Sequence, residues 1–141
     1  MGLPIEDQLK LQRLYAEYVQ HFDRGDRDRW LDLFTEDILY RVVPTRDTGE
    51  WADPIDLVGR QALSEYWEYR KDMYVHGARH FSTDLIVDGD GDRATGSVNS
   101  MVVLTDPAGP TFRVTGYIDD ELRRDATGTW RFAVRTAHPD L

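Results

Sequence analysis

His80 lies in Ala78-Arg79-His80-Phe81-Ser82-Thr83-Asp84-Leu85-Ile86-Val87, a segment whose branched and aromatic content predicts a strand. Asp23 closes an N-terminal segment whose apolar residues recur at helical spacing. An imidazole, with an unperturbed pKa near ~6.5, takes and returns protons at neutral pH, and a carboxylate beside it fixes its tautomer. A histidine and an aspartate brought together from distant segments, inside a small apolar hollow, would make a proton-transfer site. The alternatives stay open at the level of residues: a strand histidine can be a satisfied structural group, and Asp23, beside Arg24, can be a solvated turn residue. Tyr18 and Tyr40 are candidate hydroxyl donors that could polarise a carbonyl oxygen as negative charge develops on it. Tyr18 also belongs to the apolar stripe and can be plain core. Tyr117 and Asp119 alternate on a later strand. Buried, Asp119 would need a partner; otherwise it is an exposed strand charge.

Metal and phosphate chemistry find less support. His76 and His80 are four apart, but Gly77 lies between them and a third ligand is not obvious. Asp88-Gly89-Asp90-Gly91-Asp92 starts like a calcium loop. Arg93 then stands where glycine is required and Asn99 where a bidentate glutamate is required, so the stretch is read as a hairpin turn. No glycine-rich phosphate loop or Gly-x-Ser-x-Gly elbow is present. The expectation is chemistry without a metal or other cofactor.

These side chains need elements to position them. Leu11, Leu14, Tyr15, Tyr18, Val19 and Phe22 form one stripe of a first helix, with Lys10, Arg13, Glu17 and Gln20 off it. Gly25 suits its C-terminal cap, and Asp26 can cap a short second helix carrying Trp30, Leu31, Leu33 and Phe34. Ile38 to Val43 reads as an edge or first strand that stops at Pro44. Thr45 to Val58, with Trp51 among four acidic residues, reads as a long loop of the kind that forms lids or binding loops. Gly59 to Lys71 is a third helix with Leu63, Tyr66 and Trp67 on one face. Four segments follow, near Arg79 to Val87, Arg93 to Thr105, Thr111 to Arg123 and Thr129 to Ala137, separated by Gly, Asp or Pro turns, and read as an antiparallel meander. Strand alternation places Ser82, Asp84 and Ile86 on the same face as His80. Helices first and hairpins afterwards predict an α+β architecture, a curled sheet packed by helices on one face.

With 141 residues the chain fits a single domain over 1–141. Seventeen basic against 26 acidic residues give a net charge of −9, which repels phosphate backbones and anionic lipid, so neither nucleic acid nor membrane is an expected partner. The sequence has no cysteine, which removes thiol chemistry and suits a reducing compartment. Met1 to Leu11 is interrupted by Glu6, Asp7 and Lys10 and does not read as the apolar region of a signal peptide. A cytoplasmic protein is expected.

The order of Asp23 with Gly25-Asp26, Trp30-Leu31-Asp32-Leu33-Phe34-Thr35-Glu36-Asp37, Arg79-His80, Asp88-Gly89-Asp90, Gly116-Tyr117-Ile118-Asp119 and Gly128-Thr129-Trp130-Arg131 resembles the SnoaL-like branch of the nuclear transport factor two superfamily. The likeness runs from about Asp7 to His138. It implies a cone-shaped α+β barrel around a pocket, in a superfamily that includes scytalone dehydratase, bile-acid dehydratase, ketosteroid isomerase, polyketide cyclases and the small subunits of ring-hydroxylating dioxygenases. By this resemblance Asp23 matches the helix-end aspartate of the dehydratases and His80 their base. Tyr18 matches the tyrosine of the bile-acid dehydratase pattern, and Tyr40 the strand tyrosine of the scytalone dehydratase pattern. Tyr117 and Asp119 stand where the superfamily places pocket-facing polar groups. One departure is plain: scytalone dehydratase carries a second histidine on the next strand, whereas Val98 to Leu104 offers only Ser100 on the inward face. The arginine flanked by aspartates that marks limonene epoxide hydrolases is also missing.

The expected activity is a cofactor-independent lyase or isomerase, dehydration first, acting on an apolar oxygenated molecule such as a polyketide-, steroid- or terpenoid-like compound. His80, Asp23, Tyr40 and Tyr18 would be catalytic, with Tyr117, Asp119, Trp51, Trp67 and Ser100 around the substrate. Two further readings remain: the non-catalytic small subunit of a ring-hydroxylating dioxygenase, and a ligand-binding protein of the same fold. A homo-oligomer, dimer or trimer, is expected because the open sheet face in this fold is usually buried by self-association.

Overall fold

The computed structural model describes residues 2–46, 55–74 and 77–140, with the side chains of 72–74 excluded. Trp51 and His76 lie outside the described residues. Helix α1 (Ile5–Asp23) starts after Pro4, carries Glu6 and Asp7 in its first turn where they complement the helix dipole, and buries Leu11, Leu14, Tyr15, Tyr18 and Phe22. It ends as its spacing predicts: Gly25 adopts φ 76°, a conformation glycine reaches without steric penalty. Asp26 then accepts the Arg29 backbone N–H at 3.3 Å and caps α2 (Arg27–Leu31).

The sheet contains β1 (Phe34–Val42), β2 (Ile55–Val58), β3 (Ala78–Asp90), β4 (Arg93–Asp106), β5 (Gly109–Arg124) and β6 (Trp130–Pro139), with α3 (Gly59–Tyr74) between β2 and β3. Its order is β2-β1-β6-β5-β4-β3. The β1/β6 pair is parallel and every other pair antiparallel. The predicted meander is therefore present as β3 to β6, and the helices pack on one face of the sheet. Two expectations change. β1 is the first strand in the chain but not an edge, because Ile55–Val58, read from sequence as the end of a loop, pairs with it and takes the edge position. Four residues, Ile55-Asp56-Leu57-Val58, give too short a pattern to announce a strand.

The sheet curls through irregularities in its pairing, which bend strands and increase their twist. One lies between Thr83 and Ile86, where Asp84 adopts φ 60° and its Oδ2 accepts from Thr83 Oγ1 and Asn99 Nδ2, both at 3.0 Å. The inward series therefore runs His80, Ser82, Leu85, Val87, and Asp84 and Ile86 do not share the face of His80 as simple alternation predicts. Another lies between Glu121 and Leu122, opposite Ala133 on β6. It moves the inward series of β6 from Trp130 and Phe132 to Ala133 and Arg135.

The helical layer is tied to the sheet by a buried carboxylate. Asp7 Oδ1 accepts the Trp130 indole N–H at 2.8 Å and Oδ2 accepts from Arg124 Nη1 at 2.9 Å. The indole donation and the Arg124 charge hold the Asp7 carboxyl below the usual carboxylate range despite its burial. Asp7→Ala leaves the indole N–H buried and unpaired, and is expected to lower the unfolding free energy by about 2–3 kcal/mol in urea denaturation. Retention of wild-type stability would contradict that anchoring role.

Candidate active site

Asp23 is the last residue of α1, and α1 crosses β3 so that its carboxylate meets His80 from two sides. Asp23 Oδ2 accepts the His80 backbone N–H at 2.9 Å, and Oδ1 lies 2.5 Å from His80 Nδ1. The Asp23 side chain is 7% exposed and that of His80 22%. Two bonds to one residue fix both the strand position and the ring orientation. A carboxylate at Nδ1 favours the tautomer with the proton there, which leaves the lone pair on Nε2. Phe22, the residue before Asp23 on α1, meets the imidazole edge-to-face with ring centroids 5.0 Å apart.

His80 lines a cavity of about 350 Å³ between α1, α3 and the inner face of the sheet. Tyr18, Tyr40, Ser100 and Tyr117 line it as well, with Val102, Val114 and Ile118 among its apolar walls. The Tyr18 and Tyr40 hydroxyls are 3.4 Å apart, so two tyrosines read separately from the sequence form one pair. Burial pushes the pKa of both phenols up, strongly for Tyr40, which keeps them protonated and able to donate. A larger depression of about 780 Å³ on the outer sheet face, lined by Asp37, Asp88, Arg93 and Arg123 among others, lies away from these groups.

Other candidates fall elsewhere. Trp67 is 4% exposed but packs behind the cavity, its ring 4.8 Å from Phe22 and 5.1 Å from Trp30, and it does not line the hollow. Its helical stripe marked it as buried without saying which neighbour it meets. Asp119 points to the outer face with its side chain 58% exposed, so it is a surface charge rather than a pocket group. Tyr117 reaches the cavity only at its rim, 41% exposed and stacked on His138 at 4.5 Å.

The inward polar groups that the sequence did not reveal are Asp120 and Arg135, 4% and 1% exposed. Asp120 Oδ2 accepts from Tyr15 Oη at 2.6 Å and lies 3.5 Å from Arg135 Nη1. Gly96 makes room for this, because a Cβ there would collide with the Tyr15 hydroxyl and come within 2.9 Å of Tyr15 Cζ. Arg135 follows the irregularity opposite Ala133, and no local pattern betrays that change of phase.

Burial pushes the Asp120 carboxyl from 3.8 up to about 6, against the opposing pull of Arg135 and the Tyr15 hydrogen bond. The folded state then binds more protons than the unfolded chain between those values. The contribution of this group is fully present below pH 3.8 and is lost as pH rises through about 6. Measured against Asp120→Asn, which cannot titrate, wild-type stability is expected to fall between about pH 4 and pH 6 and level off above. Urea titrations across that range check it, and a rising difference would contradict the assignment.

The SnoaL-like domain model matches residues 4–136. Among solved structures, an Asp-to-Asn variant of Rv3472, a protein of unknown function from Mycobacterium tuberculosis, is 31% identical with TM-score 0.80, over 98% of this chain and 76% of that one. An NTF2-like protein with a cystatin-like fold from Novosphingobium aromaticivorans is 24% identical with TM-score 0.81, over 96% and 82%. A protein assigned as a scytalone dehydratase from the same organism is 17% identical with TM-score 0.78, over 97% and 86%. The last two likenesses carry the fold alone. No curated protein matches the chain. No described helix is long and apolar enough to cross a membrane. The α+β cone of helices on a bent, mainly antiparallel sheet, together with the domain match along nearly the whole chain, places this protein in the SnoaL-like domain family.

Proposed function

We propose that the protein is a cofactor-independent lyase or isomerase that moves protons on a small apolar molecule bearing a carbonyl group, with dehydration of a β-hydroxy ketone as the preferred reaction. The observation that carries this reading is the His80 Nδ1 to Asp23 Oδ1 contact of 2.5 Å at the wall of a cavity that Tyr18 and Tyr40 also line. His80 Nε2 removes a proton from the carbon between carbonyl and hydroxyl-bearing carbon, while Asp23 holds the ring and offsets the imidazolium charge. The tyrosine pair donates to the carbonyl oxygen as it becomes an enolate. Collapse of the enolate breaks the C–O bond, and the departing hydroxyl takes the proton from His80 and leaves as water.

A cavity of this size accepts a fused two-ring or comparable frame, and its apolar wall suits a polyketide-, steroid- or terpenoid-like compound. A structural role as a dioxygenase small subunit requires neither the dyad nor the hollow, so the geometry favours the enzyme. The reading includes self-association through the outer sheet face, where Ile86 is 65% exposed. The test uses 3-hydroxy-1-tetralone, whose loss of water yields fluorescent 1-naphthol. Naphthol formation above the buffer rate is expected with the wild type and not with folded Asp23→Asn. Equal rates for both proteins would overturn the role of the dyad.

A further inference from the structure

Arg135 is an uncommon group to find beneath such a cavity. It is 1% exposed, and its Nε, Nη1 and Nη2 have no hydrogen-bond partner among the described residues. A guanidinium carries five donors, and a buried cation normally has them engaged. Its surroundings are aromatic instead. Its Cζ lies 3.8 Å from the centroid of the Tyr18 ring, 4.7 Å from that of Phe132 and 5.8 Å from that of Tyr15. The one carboxylate in range, Asp120, is 3.5 Å from Nη1 and is already hydrogen-bonded to Tyr15. The charged and titratable groups facing Arg135 are therefore Tyr15 and Tyr18 from α1, Tyr40 from β1 and Asp120 from β5. Tyr18 links this cation to the ligand space, with its ring against the guanidinium and its hydroxyl 3.4 Å from that of Tyr40 at the cavity wall.

Resting on the reading of the cavity as a proton-transfer site, we propose that Arg135 is a positioning residue that gives the Tyr18–Tyr40 pair an affinity for anionic oxygen, so that the ligands taken are those that become enolates or phenolates. A cation under the Tyr18 ring polarises the phenol toward donation, and a charge buried in a low-dielectric interior acts at longer range than it would in water. Neutral tyrosines alone would hydrogen-bond a ketone and an alcohol with little distinction. With the guanidinium behind them they favour the charged form, which is the form that proton removal creates. A buried cation left without full hydrogen bonding destabilises the fold, and such strain is found where function uses it.

The test titrates 4-nitrophenol, a phenol whose anion is yellow, bound to saturating protein and followed by absorbance. In the wild type the bound phenol is expected to ionise about one pH unit below the free compound, equivalent to about tenfold tighter binding of the anion than of the neutral form. Arg135→Met is expected to abolish this displacement, with folding checked by circular dichroism. Tyr18→Phe keeps the ring over the guanidinium and removes the hydroxyl, and is expected to lose most of it too, which decides the matter should Arg135→Met not fold. The proposal is overturned by a wild type that fails to bind 4-nitrophenol or leaves its ionisation unshifted, or by a folded variant of either kind that keeps the full shift. Because no turnover is needed, a normal shift with no dehydration counts against the enzymatic reading alone. Dehydration that needs Asp23 but comes with no shift counts against Arg135 alone.

Discussion

His80→Gln is expected to lower kcat/KM of the proton-transfer reaction by roughly 10²–10⁴, the range a positioned general base contributes, while leaving the fold intact. Glutamine fills most of the imidazole volume and can still hydrogen-bond the Asp23 carboxylate, and the backbone N–H that binds Asp23 Oδ2 is unaffected. What it cannot do is accept and return a proton. Asp23→Asn should behave differently in one respect. The carboxylate accepts both the backbone N–H and the ring N–H, so an amide presents a donor where an acceptor is needed and costs about 1–3 kcal/mol of stability besides activity. Steady-state kinetics with thermal melts of both variants separates the two effects. An active His80→Gln enzyme within a few-fold of wild type would remove His80 from the chemistry.

The second large effect is structural. Trp30 is fully buried, with ring centroids 5.0 Å from Phe34, 5.1 Å from Trp67, 5.3 Å from Phe22 and 5.9 Å from Tyr18. Trp30→Ala opens a void at the centre of this cluster and is expected to cost about 3–5 kcal/mol. For a chain of this length that lowers Tm by roughly 10–20 °C. The loss reaches the site through Phe22, which packs on both Trp30 and the His80 ring. Trp30→Phe should cost far less than the alanine variant. The Trp30 indole N–H is buried with no partner among the described residues, and removing it recovers part of the lost packing. Equal Tm values for the alanine variant and the wild type would contradict this account of the core.

The elements that carry the dyad were legible because each has a local cause. The α1 stripe, Gly25 and Asp26 fix where the first helix stops, and the dense Val, Ile and Thr content after Ala78 fixes the meander. Hence the helix-end carboxylate and the strand histidine could be named in advance, and Tyr18 and Tyr40 singly but not as a pair. Where reading failed, the cause was a change of phase. The irregularities at Asp84 and opposite Ala133 reverse which side chains face inward, so Ile86 turns outward and Arg135 inward, and period-two alternation cannot see either. Asp119 and Asp120, in regular register with β6, take opposite faces by ordinary alternation, and residue type alone did not say which of the two carboxylates turns inward. Trp67 was read on the apolar face of the third helix and expected around the substrate. Only the packing of Phe22 and Trp30 in front of it decides that it supports the cavity wall rather than forming it.

The measurement that reaches the central claim most directly is α-proton exchange of 1-tetralone in D₂O, followed by NMR. It requires the carbonyl and the base but no leaving group, so it is indifferent to whether the natural reaction is dehydration, isomerisation or cyclisation. The wild type is expected to exchange deuterium into the position beside the carbonyl well above the buffer rate, and His80→Gln to return it to that rate. Exchange no faster than buffer with the wild type, or unchanged in His80→Gln, would contradict the claim that His80, held by Asp23, is the base of this cavity.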